Sequence, residues 1–118
     1  QCAIAGAGVS NLQLFRTKVS DDRVSRAVQG RTMNGMDPLA EADNAVLPIL
    51  VYHGDRDVRV PIKDGRDFYN AVKNKVPAKF LGLKDMGHQL NLWTPDNHRD
   101  SLKAIEDFLE NDCGPGGL

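Results

Sequence analysis

The 118-residue sequence contains no run of five or more lysines and arginines, and its net charge is only -1. Both argue against nucleic acid or an anionic membrane surface as a partner. No apolar stretch approaches the length of a membrane span. No charged leader followed by an apolar run opens the chain, so no signal peptide is visible. There are two cysteines and three histidines, with no Cys-x-x-Cys and no His-x-x-x-His among them. That excludes the common metal-ligand spacings. Gly6-Ala-Gly8 lacks the third glycine and the following helix start of a dinucleotide loop. The sequence therefore calls for no cofactor and no metal.

The composition is that of an ordinary soluble domain, 41% hydrophobic and 26% charged. The length suits one domain with one core, spanning residues 1–118. Residues 2–9 form a continuous apolar run, read as a strand buried on both faces. Over residues 11–36, Phe15, Val19, Val24 and Val28 are spaced for broken helix, punctuated later by Gly30, Gly35 and Pro38. Residues 37–45 read as a short helix with Asp37 as its cap and Pro38 at its first position. Residues 46–52 are the clearest strand, with Pro48 near the start where a missing N–H does least harm.

Residues 63–74 read as a helix with an apolar stripe of Phe68, Tyr69 and Val72. Residues 78–83 read as the next strand. The last helix starts at Thr94-Pro95, buries Leu102, Ile105, Phe108 and Leu109, and ends before Gly114. Helical crossovers between apolar strands imply a mostly parallel three-stranded sheet flanked by helices, with right-handed connections. The abrupt opening on a strand is expected to mean that the natural domain begins further upstream. The Gly/Pro-rich residues 111–118 read as a chain end.

Each of the last two strands is followed by a residue that carries chemistry. Asp57 lies five residues after Tyr52, and His88 lies five residues after Leu83. In an open parallel sheet, reacting groups gather beyond the carboxyl ends of the strands. If the two strands are neighbours, carboxylate and imidazole meet at one edge. A carboxylate there fixes the imidazole tautomer and stabilises the imidazolium formed when a serine is deprotonated. The order acid then histidine is the second half of the Ser…Asp…His order of α/β-hydrolases. Singly, each residue is also an ordinary turn residue. Asp55 and Asp85 remain alternative acids, although Asp85 is close in sequence to His88. His53 reads as structural, at the last position of its strand, and His98 as a solvated surface residue. The nucleophile is missing: Ser10, Ser20, Ser25 and Ser101 sit in no Gly-x-Ser-x-Gly elbow, and Gly6-Ala-Gly8-Val-Ser10 does not complete one.

Residues 48–61 (Pro-Ile-Leu-Val-Tyr-His-Gly-Asp-Arg-Asp-Val-Arg-Val-Pro), the helix around Arg66–Asn70 and the segment Asp85-Met-Gly-His88 resemble the C-terminal part of the prolyl oligopeptidase family. These are serine peptidases that include dipeptidyl and acylaminoacyl peptidases. The resemblance covers essentially all 118 residues. It implies the C-terminal portion of an α/β-hydrolase catalytic domain, usually preceded by a β-propeller, with the nucleophile-bearing half absent here. It implies Asp57 as triad acid and His88 as triad base. Arg59 resembles the position that contacts a substrate carbonyl, a role suited to the fixed fork of a guanidinium. Val9, Leu12 and Phe15 resemble the stretch that forms the pocket before the scissile bond, against the plainer reading that they are core.

In the secreted dipeptidyl-peptidase branch a disulfide joins positions that match Cys2 and Cys113; the alternative is two free thiols. The disulfide implies a periplasmic or secreted parent, and free thiols a cytoplasmic one. The expected function is peptide hydrolysis through a triad of which this chain supplies two members, so that the chain alone is inactive. The same triad serves an esterase or other acyl hydrolase. A third expectation is a non-catalytic, self-associating module, since a short sheet exposes strand edges. The expected partner is a peptide substrate, with no nucleic acid and no membrane.

Overall fold

Residues 1–19 and 36–113 are described in the computed structural model of the chain. Three strands, β1 (Ala3–Gly6), β2 (Ile49–Gly54) and β3 (Ala78–Leu83), pair in parallel in the order β1-β2-β3. The described helices are α1 (Leu12–Val19), α2 (Ile62–Val72) and α3 (Pro95–Asn111), with 3-10 turns at Ala42–Asn44 and Leu90–Leu92.

Alternate residues of a strand face opposite sides of the sheet, and here each side has its own helix. Ile49 and Val51 pack with Val72 of α2, with Ala42 and Val76, and against Phe68, Tyr69 and Phe80. Leu50, on the opposite face, packs with Phe108 and Cys113 and against Ile105 and Leu109 of α3. The sheet therefore lies between α2 and α3. Its central strand is β2, where Ile49, Leu50 and Val51 are all buried. That is why its sequence is a continuous apolar run rather than an alternating one.

Two devices anchor α3. Thr94 Oγ1 accepts from Asn97 N and Asn97 Oδ1 accepts from Thr94 N, both at 3.1 Å, which closes a capping box. Asn97 Nδ2 also donates to Lys84 O at 2.9 Å, docking the start of the helix on the exit of β3. At the other end Cys113 forms a disulfide with Cys2, their Cα atoms 5.0 Å apart.

Several sequence expectations change. The strand expected over residues 2–9 is only Ala3–Gly6, because Ala7 turns the chain with φ 47°. Nor is it buried on both faces: among the described residues it is an edge strand whose exposure alternates, with Ile4 38% exposed. Residues 37–45 are turns followed by the 3-10 turn, not an α-helix; Asp37 Oδ1 accepts locally from Leu39 N, a competing Asx geometry. The second strand starts after Pro48 and runs through His53 to Gly54, leaving Val46 and Leu47 exposed before it. The helix expected over 63–74 is Ile62–Val72. Leu102 is 65% exposed; Asn97, Ser101 and Phe108 hold the buried side of α3. Ser20, Val24, Ser25, Val28, Gly30, Gly35 and Gly114 lie outside the described residues.

Candidate active site

Gly54 and Leu83, the last residues of β2 and β3, are register partners, so the loops that follow leave the sheet side by side. They are bonded to each other: Asp55 N donates to Leu83 O at 3.0 Å and Arg56 N to Met86 O at 3.1 Å. Gly54 makes this approach possible, since a Cβ there would sit 2.0 Å from Met86 O. Met86 is fully buried beneath the junction. Outside it, Arg56 and Asp85 pair at 2.6 Å on an exposed surface, where such pairs contribute little.

Within this junction the Asp57 carboxylate is buried, its side chain 1% exposed. Oδ1 accepts from Arg59 N at 2.9 Å and Val60 N at 2.8 Å. Oδ2 lies 2.8 Å from His88 Nδ1. An ionised carboxylate only accepts, so Nδ1 carries the proton and Nε2 is left with its lone pair. The His88 side chain is 35% exposed. The arrangement is a buried acceptor holding a partly open imidazole in one tautomer, which can take a proton at Nε2 and return it.

Two further groups fasten the loops, and the sequence did not single out either for this. His53, completely buried, places Nε2 2.7 Å from Val60 O and 3.4 Å from Asp57 Oδ2. It lies one residue before the end of β2, not at its last position. Trp93 Nε1 donates to Gly87 O at 3.0 Å, and its ring meets Tyr52 edge-on at 6.4 Å and His98 at 5.3 Å. His98 is thus half-buried against the indole rather than a solvated surface residue. Its place three residues into a capped helix gave no hint of this. The signal for Trp93 was its being the single tryptophan, five residues after the candidate base.

The other expected site residues are placed as follows. Arg59 is exposed and makes no ion pair among the described residues; its backbone amide is what reaches Asp57. Val9 lines a small apolar hollow with Ala5, Gly8, Val51 and Phe68. Phe15 lines another with Val60, Pro61 and Asp64. Leu12, half-buried at the start of α1, borders neither hollow. Asp55 is exposed, and Asp85 is taken up by Arg56. Ser10 is buried, with N on Asp64 Oδ2 and Oγ on Asp64 O, both 2.8 Å. Ser101 Oγ donates to His98 O at 3.0 Å. Neither described serine is engaged with His88. Among the described residues no group of three or more His, Cys, Asp or Glu could hold a metal, and no helix is long and apolar enough to cross a membrane.

The sequence model of the prolyl oligopeptidase family matches residues 1–116. Dipeptidyl peptidase family member 6 of Caenorhabditis elegans is 28% identical over 104 residues, 87% of this chain but 13% of that protein. The acylaminoacyl peptidase of Pyrococcus horikoshii superposes with a TM-score of 0.76 at 19% identity, over 98% of this chain and 21% of its own. Esterase 2 of Thermogutta terrifontis superposes with a TM-score of 0.66 at 19% identity, over 96% and 43%. At such identities the two structures show a shared α/β-hydrolase fold and no more. The chain spans about an eighth of the length of the curated relative it matches.

Proposed function

The chain belongs to the prolyl oligopeptidase family, and from that premise we propose that it supplies the acid and the base of a Ser-Asp-His peptidase. The observation that carries the proposal is the 2.8 Å contact between buried Asp57 Oδ2 and partly open His88 Nδ1. In the reaction, a serine hydroxyl gives its proton to His88 Nε2 as its oxygen attacks the peptide carbonyl. The imidazolium, stabilised by Asp57, then gives that proton to the leaving amine. Water deacylates the enzyme by the same relay. We place the serine elsewhere in the protein: Ser10 and Ser101 are engaged away from His88, and Ser20 and Ser25, outside the described residues, sit in no Gly-x-Ser-x-Gly elbow. On this reading the 118 residues alone are expected to be inactive.

Arg59, exposed beside the acid and without an ion pair among the described residues, is offered as the contact for a substrate carbonyl. Val9, Leu12 and Phe15 are offered as pocket residues. Arg59 favours peptides over esters, although the same pair serves either. The Cys2–Cys113 disulfide favours an oxidising compartment, periplasmic or secreted. Among the described residues β1 and β3 each pair on one side only, which supports self-association of the chain when alone.

The test is kinetic, in the protein that carries the serine. Asp57→Asn should lower kcat on aminoacyl and dipeptidyl chromogenic substrates by about 10⁴-fold, the scale of losing the correct tautomer, and His88→Ala should do at least as much. Near wild-type rates in either variant would end the proposal. Ester turnover that survives Arg59→Ala while peptide turnover falls would assign peptides as the substrate.

A further inference from the structure

His53 is one of six polar or charged residues buried in the described chain, and the triad chemistry makes no use of it. It lies on the face of β2 that α2 covers, two residues beyond Val51. We propose that His53 is a positioning residue for Asp57: it tethers the carbonyl of Val60, and so holds the loop whose amides aim the carboxylate at His88. The inference rests on the reading of Asp57 and His88 as a working pair.

The geometry runs through one short loop. Val60 presents its N–H to Asp57 Oδ1 at 2.8 Å and its carbonyl to His53 Nε2 at 2.7 Å. A carbonyl can only accept, so His53 donates from Nε2. That proton also lies toward Asp57 Oδ2, 3.4 Å away. The result is a continuous chain of contacts: imidazole to carbonyl, amide of the same residue to carboxylate, carboxylate to His88. The two groups belong to successive peptide units that meet at the Val60 Cα, so a displacement of Val60 would loosen both bonds. The remaining amide on Oδ1, from Arg59, could hold the carboxylate's distance but not its rotation.

The rest of the His53 ring is not placed for hydrogen bonding. Nδ1 is a buried atom without a partner among the described residues, and unpartnered buried polar atoms are rare enough to need a reason. A phenyl or aliphatic side chain would fill the space without that penalty, so the ring is retained for Nε2. The helix opposite is cut to fit it: a Cβ on Gly65 of α2 would stand 2.7 Å from Nδ1. Among the described residues the titratable groups around the ring are few. Asp57 approaches Nε2. Asp64, one residue before Gly65, has its carboxylate occupied by Ser10 N.

The experiment follows the Nδ1 proton of His88 by NMR in the 118-residue chain, which needs no serine and no substrate. Wild type should show a resonance protected from water by Asp57, and Asp57→Asn should abolish the protection. His53→Phe, which keeps ring volume and removes the donor, should speed exchange of that proton about tenfold, the factor a typical hydrogen bond is worth. His53→Gln, whose amide reaches the Nε2 position, should restore most of the protection, and His53→Asn, which stops short of it, should not. Gly65→Ala should reproduce the His53→Phe effect with His53 intact, by displacing the ring. Wild-type exchange in folded His53→Phe overturns the proposal. So does the loss of fold in Phe and Gln variants alike, since His53 would then serve stability alone. If Asp57→Asn itself leaves the proton protected, the pairing of Asp57 with His88 fails, and that outcome is distinct from a failure of His53 alone.

Discussion

At Asp57 the chain spends four interactions on one carboxylate: two amides, one imidazole at 2.8 Å and a second at 3.4 Å. Asp57 and His88 are 31 residues apart in sequence, yet their meeting could be anticipated from the sequence. Asp57 follows β2 by three residues and His88 follows β3 by five, and parallel neighbours deliver such positions to one edge. What could not be read was the hardware around them. Gly54 carried no signal in the sequence; it is a contact point, and Gly54→Ala should push the two loops apart. Overpacking of this kind costs about 1–3 kcal/mol, so chemical denaturation should show a lower midpoint with an unchanged slope. A midpoint equal to wild type would mean that Met86 O moves freely. Ser10 and Asp64, 54 residues apart and both buried, were equally invisible, because nothing in a sequence announces a polar pair whose two halves lie on different elements.

Among the elements, β2, β3 and α3 were the most legible, each for a local reason. The central strand shows an unbroken apolar run, and the last helix carries Thr94-Pro95 at its start. Substituting Thr94 by Ala removes one half of the capping box, a loss of about 1 kcal/mol. Because Asn97 also holds Lys84 O, Asn97→Ala should cost more than Thr94→Ala; equal losses would show that the dock onto β3 contributes nothing. Phe108, 1% exposed against Leu50, is the core residue of α3, and Phe108→Ala should cost about 3–5 kcal/mol. Leu102 on the same helix is exposed, so Leu102→Ala should be nearly neutral by thermal unfolding. The sequence misplaced Leu102 because a helix with charges on every side does not declare which of two adjacent stripes faces the sheet. It overextended β1 because small apolar residues are compatible with a strand or a turn, and Ala7 took the turn.

For the molecule as a whole, the sheet and the disulfide set what the chain can do alone. Three strands leave two outer edges without partners among the described residues. Sedimentation of the isolated chain should show association that rises with concentration, and a monomer at high concentration would count against it. The disulfide spans a sequence separation of 111 residues. Closing a loop of that size stabilises by about 4–5 kcal/mol in the chain-entropy model. Reduction should therefore lower the melting temperature markedly, and mass analysis after alkylation should find two reactive thiols only in the reduced protein. Two thiols alkylated without reductant would remove the argument for an oxidising compartment.

The same bond decides how the chain bears load. Cys2 precedes the first strand and Cys113 follows the last helix, and the Gln1 amino group already touches Cys113 O at 3.3 Å. A pull applied at residues 1 and 113 passes directly from one cysteine to the other. The sheet, the Asp57 junction and α3 hang outside the line of force. Stretched between those points, the oxidised chain should hardly lengthen. Once reduced it should release its full contour, roughly 390 Å at about 3.5 Å per residue. Asp57 and His88 would thus keep their geometry under tension for as long as the bond stays oxidised.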